Sequence, residues 1–124
     1  MSFDITATCH CGAIKITGHA PQGYANAARC NCSFCKRRQA ANIGVTSTTL
    51  KVTKGADNLG LYSFGTHTAR HYFCKTCGIY THHQTRSDPQ ISGVNLGCID
   101  ATHPMAHEPF PWRDGINHPK DRKD

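Results

Sequence analysis

Seven of the eight cysteines in this chain of 124 residues fall into three short clusters. The clusters are a Cys-x-Cys pair, a Cys-x-Cys-x-x-Cys triplet and a Cys-x-x-Cys pair, and their members are Cys9 and Cys11, then Cys30, Cys32 and Cys35, then Cys74 and Cys77. Thiolates at such spacings are typical zinc ligands, and zinc takes four protein ligands in structural sites but keeps one position open in catalytic sites. The two pairs can complete one closed site, whereas the triplet is one ligand short of a second.

Chain length and composition favour metal binding over disulfide bonds. A chain of 124 residues fits one domain. Its hydrophobic fraction of 38% is low for a globular domain, so we expect a further stabilising element such as a bound metal. The first residues contain no basic region followed by an apolar stretch, so we expect no signal peptide and a cytoplasmic location. Clustered cysteines in that compartment bind metal more often than they pair, although disulfides and an iron–sulfur cluster are the alternatives. No apolar run reaches membrane-spanning length, so no membrane partner is expected.

The net charge is mildly basic. The formal charge of +6 falls to about +3 when seven thiolates and two zinc ions are counted. Such a surface suits an anionic small molecule or a nucleic acid. The lysines and arginines are scattered, with no stripe of alternating aromatic and basic residues, and this disfavours the nucleic acid.

Short alternating segments separated by glycine and proline predict a mostly β domain of antiparallel strands. The strand-like segments are residues 3–8, 14–17, 43–45, 50–52, 61–64, 70–73 and 94–100. One short helix is predicted directly after the triplet, from Ser33 to about Gln39, with Ser33 as its N-cap.

Beyond residue 101 the sequence changes character. We expect residues 1–112 to form a single zinc-stapled domain and residues 113–124 to be a polar C-terminal tail that is partly disordered. Phe110 and Trp112 are expected to pack this extended region onto the sheet, and a stacking surface for a ligand is the alternative.

The two cysteine pairs predict a structural zinc site. Cys74 and Cys77 are followed by Gly78, which is typical of a zinc knuckle, because glycine tolerates the left-handed turn that points backbone N–H groups at sulfur. Cys9 and Cys11 stand two apart and share one face of a strand. A zinc ion joining the pairs would contribute on the order of 10 kcal/mol to folding.

The triplet predicts a different chemistry. Three thiolates and one Zn²⁺ carry a net charge of −1, which suits the capture of an incoming thiol as a thiolate better than the polarisation of a carbonyl. A fourth thiolate would bring the charge to −2, and the Lys36-Arg37-Arg38 run could offset it or could simply be a solvated helix face.

The fourth position of the triplet has several candidates from the protein itself. Cys98 lies in an apolar run, so we interpret it as a core residue, with the role of fourth ligand as the alternative. Four histidines could also serve, although each is more simply a hydrogen-bonded polar residue; they are His10, His71, His82 and His83.

The three cysteine clusters resemble a known family. Cys9-His-Cys-Gly-Ala-Ile-Lys, Cys30-Asn-Cys-Ser-Phe-Cys-Lys and His71-Tyr-Phe-Cys-Lys-Thr-Cys-Gly look like the glutathione-dependent formaldehyde-activating enzyme and centromere protein V (GFA-type) family, from about residue 6 to Asp100. The resemblance implies a β-tent-like fold with two zinc ions. It also implies a structural zinc on the two pairs and a catalytic zinc on the triplet Cys30, Cys32 and Cys35.

The activity implied by the resemblance is condensation of formaldehyde with glutathione to S-(hydroxymethyl)glutathione, a carbon–sulfur lyase reaction in the reverse sense. Arg70, Arg86 or Lys36 would receive the carboxylates of glutathione. The alternative is a non-catalytic zinc module resembling centromere protein V, with both zinc ions structural and a protein or nucleic-acid partner. Residues 36–39, 55–57 and 66–71 look closer to that branch.

Overall fold

Two antiparallel sheets carry most of the fold in the computed structural model, which describes residues 1–85 and 88–116. The strands are β1 (Phe3–Thr8), β2 (Lys15–Ala20), β3 (Arg29–Cys30), β4 (Asn42–Thr46), β5 (Lys51–Lys54), β6 (Leu59–Tyr62), β7 (Arg70–Cys74), β8 (Tyr80–Gln84), β9 (Ile91–Asn95) and β10 (Trp112–Arg113). The α-helix α1 (Ser33–Arg38) follows the triplet segment, and 3₁₀ turns occupy Ser47–Thr49, Ala56–Asn58, Leu96–Cys98 and Pro104–His107. The predicted mostly β class with antiparallel sheets and one short helix is confirmed.

The smaller sheet has the order β1-β2-β5, and the larger has the order β4-β9-β8-β7-β6. A third, two-stranded pairing joins β3 and β10 in parallel. The cysteines lie at or next to the ends of these elements. The end of β1 and the β7–β8 turn therefore meet at one cysteine cluster, and β3 and α1 meet at the other.

The core lies between the two sheets and is built from alternating residues of their strands. In β1, Ile5 and Ala7 are buried while Asp4 and Thr6 are exposed, as the sequence alternation predicts. The largest fully buried apolar side chains are those of Ile14, Ile16, Ile43, Leu96, Val45 and Val94. The core is modest, which fits the expectation that the fold needs a staple beyond hydrophobic burial.

Several predicted boundaries need correction. The strand predicted over residues 61–64 is β6, which ends at Tyr62. The run 94–100 is not one strand, because β9 ends at Asn95 and a 3₁₀ turn follows. The Asn95 side chain accepts a hydrogen bond from the Gly97 backbone N–H at 3.0 Å, and this turn-forming contact replaces the ladder of a strand.

The C-terminal region lies alongside β3, with which β10 pairs. Phe110 is 7% exposed and lies under the Arg29 guanidinium, so its predicted packing is confirmed. Trp112 pairs through its backbone with Arg29, but its side chain is 52% exposed, so its expected packing onto the sheet is wrong. Residues 113–116 of the predicted tail contact the triplet segment, and residues 117–124 lie outside the described residues, so the domain boundary at residue 112 stays a prediction.

Within the described residues, every helix is too short or too polar to cross a lipid bilayer.

Candidate metal centres

The two cysteine pairs meet in one cluster. Cys9 and Cys11 lie in the turn after β1, while Cys74 ends β7 and Cys77 lies in the turn before β8. All four Sγ atoms lie within 4.8 Å of one another, and the Cys9–Cys11 and Cys11–Cys74 sulfur separations are 3.7 and 3.6 Å. A tetrahedral zinc with Zn–S bonds of about 2.3 Å would place its sulfurs about 3.8 Å apart. The cluster therefore has the dimensions of a closed zinc site.

Backbone and side-chain donors surround these sulfurs. The Ile14 N–H donates to Cys9 Sγ at 3.2 Å, and Asn58 Nδ2 donates to Cys74 Sγ at 3.5 Å. Backbone N–H groups of Cys11 and Ile79 lower the pKa of the Cys77 thiol to about 6. Donors that stabilise thiolate are those a zinc–sulfur site requires.

Glycine makes both turns of this cluster possible. Gly12 and Gly78 each follow the second cysteine of a pair, and their φ angles are 82° and 78°. These left-handed values are unfavourable for residues with a side chain. The sequence signal of a cysteine pair followed by glycine therefore corresponds to a real backbone requirement at both turns.

The triplet forms the second cluster. Cys30 ends β3, Cys32 precedes α1, and Cys35 lies buried in the first turn of the helix. Their three Sγ atoms lie within 4.8 Å of one another. The predicted N-cap Ser33 is wrong, because Ser33 is the first helical residue and Cys32 caps the helix, its sulfur accepting from the Cys35 N–H at 3.3 Å.

Cys98 does not join the triplet. It is 4% exposed, and its Sγ lies 3.5 Å from the Tyr80 carbonyl oxygen and 3.6 Å from Asn95 Nδ2. Burial raises the pKa of its thiol to about 12, with further contributions from Cys9 and Cys77, so it neighbours the closed cluster. The interpretation of Cys98 as a core residue is confirmed.

The fourth position of the triplet has no protein ligand in the described part of the chain. No histidine, aspartate or glutamate described by the structure joins the three sulfurs within 4.8 Å. None of the four candidate histidines belongs to this cluster: His10 is exposed, His82 stacks on Tyr72, and His71 stacks on His83. Among the residues that the structure describes, the cluster thus lacks a fourth ligand, as the cysteine count predicts.

Arg38 is the member of the Lys36–Arg38 run that faces the triplet. Its Nη2 donates to Cys35 Sγ at 3.5 Å, and its Cζ lies 3.6 Å from the Tyr80 ring centroid and 4.5 Å from that of Phe34. Arg37 instead donates to the Ser33 carbonyl oxygen, and Lys36 is exposed. One cation of the three therefore offsets thiolate charge, and the other two belong to the solvated helix face.

A chain of polar side chains lies behind the triplet. Arg38 Nη1 donates to His71 Nδ1 at 3.1 Å, and the His71 ring stacks on His83 with 5.0 Å between centroids. The Tyr80 hydroxyl donates to Asn42 Oδ1 at 2.5 Å and lies 2.6 Å from His83 Nδ1. Because the hydroxyl has only one proton, His83 Nδ1 is the donor in the second contact. Burial lowers the pKa of His83 well below its ordinary value of 6.5, and Arg38 and His71 add to this shift, so the ring is neutral.

A cavity of about 360 Å³ opens beside the triplet and is lined by all three of its cysteines. Both histidines of the polar chain, His71 and His83, also line it. Its charged lining residues are Arg29, Arg113, Asp88 and Asp114.

The basic residues first expected to receive glutathione carboxylates are placed differently. Lys36 and Arg70 are exposed and do not line the cavity, and Arg86 lies outside the described residues. Arg29 and Arg113 line the cavity instead, and neither is predicted from the sequence. The two lie far apart in sequence and share no motif; only the parallel pairing of β3 with β10 brings them together.

The donor sets of both clusters fit zinc. Four sulfurs at tetrahedral separations suit a structural ion, and three sulfurs with one open side suit an ion that takes a further ligand. The cationic neighbour of Cys35 and the N–H donors to Cys9 and Cys32 are the kind of outer contacts that orient thiolate ligands.

Fold and clusters together define a small β domain with one closed four-cysteine centre and one open three-cysteine centre beside a cavity. The family described as "Glutathione-dependent formaldehyde-activating enzyme" matches residues 4–112. A crystal structure of a Rhodobacter sphaeroides protein, determined in structural genomics, superposes with a TM-score of 0.86 at 49% identity and covers 88% of this chain and 100% of its own. The chain belongs to the glutathione-dependent formaldehyde-activating enzyme family, and the resemblance seen in the sequence is confirmed.

Proposed function

We propose that this protein binds the thiol of glutathione at a zinc ion on Cys30, Cys32 and Cys35 and adds it to formaldehyde or a related aldehyde. In the reverse sense the reaction is that of a carbon–sulfur lyase. The observation that carries the proposal is the open side of the triplet, which faces a cavity of about 360 Å³. The family to which the chain belongs supplies the identity of the thiol.

Zinc bound to the triplet would lower the pKa of an incoming thiol from about 8.5 to below neutrality. The side chains around it have complementary tasks. Cys35 stays paired with the Arg38 guanidinium, so excess negative charge of the cluster is partly offset. Cys35 itself is buried in the first turn of α1.

The charged lining of the cavity suits a tripeptide that carries both carboxylates and an ammonium group. Arg29 and Arg113 can pair with carboxylates, and Asp88 and Asp114 can pair with an ammonium group. Arg29 already pairs with Glu108 at 3.1 Å, so a ligand carboxylate would compete with that contact.

The addition itself needs a proton. Attack of the thiolate sulfur on the aldehyde carbon forms the C–S bond and leaves an alkoxide oxygen, which takes up one proton to give the hydroxymethyl product. His71 and His83 line the cavity and are the candidates to exchange this proton. Since His83 is neutral, it can relay a proton between the product oxygen and solvent but does not hold a spare one.

The test is the rate of S-(hydroxymethyl)glutathione formation above the spontaneous reaction. We expect the zinc-loaded protein to accelerate it and Cys30→Ser to return it to the spontaneous rate. Cys98→Ala, which removes the buried thiol outside both clusters, should keep the acceleration. A zinc-loaded protein no faster than the spontaneous reaction would contradict the proposal, and salt-sensitive DNA binding in its place would support the non-catalytic module.

A further inference from the structure

Residues 111–116, here called the C-terminal strap, run along the strand that carries the first triplet ligand. The strap pairs in parallel with β3. The Arg29 N–H donates to the Pro111 carbonyl oxygen at 3.0 Å, and the Asn31 N–H donates to the Arg113 carbonyl oxygen at 3.1 Å. These backbone bonds fix the strap against the triplet segment.

The Asn31 side chain fixes the far end of the strap. Asn31 stands between the ligands Cys30 and Cys32, and its Oδ1 accepts from the N–H groups of Gly115 at 2.7 Å and Ile116 at 3.1 Å. One side chain inside the triplet motif therefore satisfies two donors of the strap. Loss of that oxygen would leave both N–H groups without this partner.

Gly115 lies directly against the triplet. It is buried, and a Cβ built on it would lie 2.5 Å from Cys30 Sγ and 2.9 Å from Cys32 Cβ. Its φ is not in the left-handed region, so the backbone there would accept another residue. Glycine is therefore required at this position because the space beside the Cys30 sulfur is too small for a Cβ.

The family match does not include this end of the strap, because it stops at residue 112. The strap nonetheless supplies Arg113, Asp114 and Gly115 to the cavity lining. The open centre of this chain is thus completed by residues that lie beyond the matched region.

We propose that the C-terminal strap is a wall of the triplet site and that Gly115 and Asn31 are positioning residues, which hold the Cys30 sulfur in place and close this side of the bound metal to solvent. The inference requires zinc on the triplet but neither glutathione nor an aldehyde. If the strap only braced the domain, its loss would weaken both metal centres alike.

The test is transfer of zinc from the full-length, zinc-loaded protein to a chromogenic chelator, without glutathione or aldehyde. Zinc in the closed centre serves as an internal reference. Its release phase is the one that remains in Cys30→Ser, which lacks a triplet ligand. We expect Gly115→Ala and Asn31→Ala to speed release of the triplet zinc about tenfold or more, within the range seen when outer contacts of metal ligands are removed. Gly97→Ala is the matched control. The atom nearest to a Cβ built at Gly97 is the Asn95 side-chain oxygen, 3.3 Å away.

Faster release of one zinc, with the second unchanged and the circular dichroism spectrum retained, would support the strap as a wall. Unchanged release of the triplet zinc in Asn31→Ala would overturn it, and so would equal acceleration of both ions. Should Gly115→Ala fail to fold, Asn31→Ala alone decides, since it adds no atoms beside the sulfur. The assay contains no substrate, so a negative result leaves the proposed activity to its own test.

Discussion

The Arg38 guanidinium donates to the Cys35 sulfur across 3.5 Å, and its Cζ lies over the rings of both Tyr80 and Phe34. A hydrogen bond that the Cys35 thiol donates to Cys30, together with burial, raises the pKa of Cys35 far above its ordinary value in the metal-free chain, and Arg38 opposes that rise. Arg38, which packs against two aromatic rings, is therefore the cation that offsets negative charge on the triplet.

Replacing Arg38 should weaken metal binding at the triplet. Arg38→Gln removes the cation beside Cys35, and we expect about a 10- to 100-fold loss of zinc affinity at this centre, with the closed centre unchanged. Arg38→Lys should recover only part of the affinity, because an ammonium group cannot contact Cys35 and His71 together as the guanidinium fork does. Competition with a chelator of known affinity measures both variants.

Arg37→Gln is the control for that series, since Arg37 is exposed and donates to the Ser33 carbonyl oxygen on the outer face of the helix. Equal affinity of the triplet in Arg38→Gln and Arg37→Gln would show that the Arg38–Cys35 contact does not stabilise the bound metal.

The closed centre should be essential to the fold. Its four ligands join the turn after β1 to the end of β7 across most of the sequence, and a structural zinc supplies on the order of 10 kcal/mol. We expect Cys74→Ser to unfold the domain at room temperature, as judged by circular dichroism and proteolysis. Cys32→Ser, which removes a triplet ligand, should remain folded, and equal loss of structure in both would contradict the division of roles.

His82 should make stability fall in mild acid. Burial lowers the pKa of its imidazole from 6.5 to about 4, so the folded state binds fewer protons than the unfolded state between these values. Stability therefore rises with pH across this window and is lost as the pH falls from 6.5 towards 4, by on the order of 3 kcal/mol. Urea denaturation of the zinc-loaded protein across the window measures this slope.

His82→Asn should flatten that slope, because the amide does not titrate and can still contact the Thr81 hydroxyl, which lies 2.8 Å from His82 Nδ1. His67→Asn is the control, since His67 is exposed and its φ of 57° suits asparagine. Wild-type slopes in both variants would show that His82 does not cause the loss of stability in acid.

Tyr80→Phe should destabilise the polar chain behind the triplet. The hydroxyl is the common partner of Asn42 and His83, so its removal leaves two polar groups unpaired at a cost of about 1–3 kcal/mol. Tyr62→Phe on an exposed ring should cost almost nothing. Denaturant midpoints that do not differ between the two variants would show that the Asn42–Tyr80–His83 chain carries no stability.

The cysteine spacing was sufficient to predict both clusters, because ligands two or three residues apart converge on one ion whatever surrounds them. The strand alternation was likewise reliable in β1, where it reports which face is buried. The N-cap was missed because Ser33 is an ordinary capping residue and a cysteine sulfur is not.

The parts that sequence could not supply are those made by long-range pairing. Arg29 and Arg113 share a cavity only because β3 pairs with β10, and Gly115 lies on Cys30 for the same reason. A polar composition with proline predicts a tail, but Asn31 supplies the hydrogen bonds that fix it in place. No local pattern in residues 113–116 signals that contact.

The most direct test of the open centre is X-ray absorption at the zinc edge, with and without glutathione. One site with four sulfurs and one with three predict an average of about 3.5 sulfur ligands per zinc in the free protein, rising to about 4 when glutathione binds. S-Methylglutathione, whose sulfur carries no proton to lose, should leave the average at its free value. An average of 4 before any thiol is added, or one that glutathione does not change, would contradict a triplet centre that takes its fourth ligand from a substrate thiol.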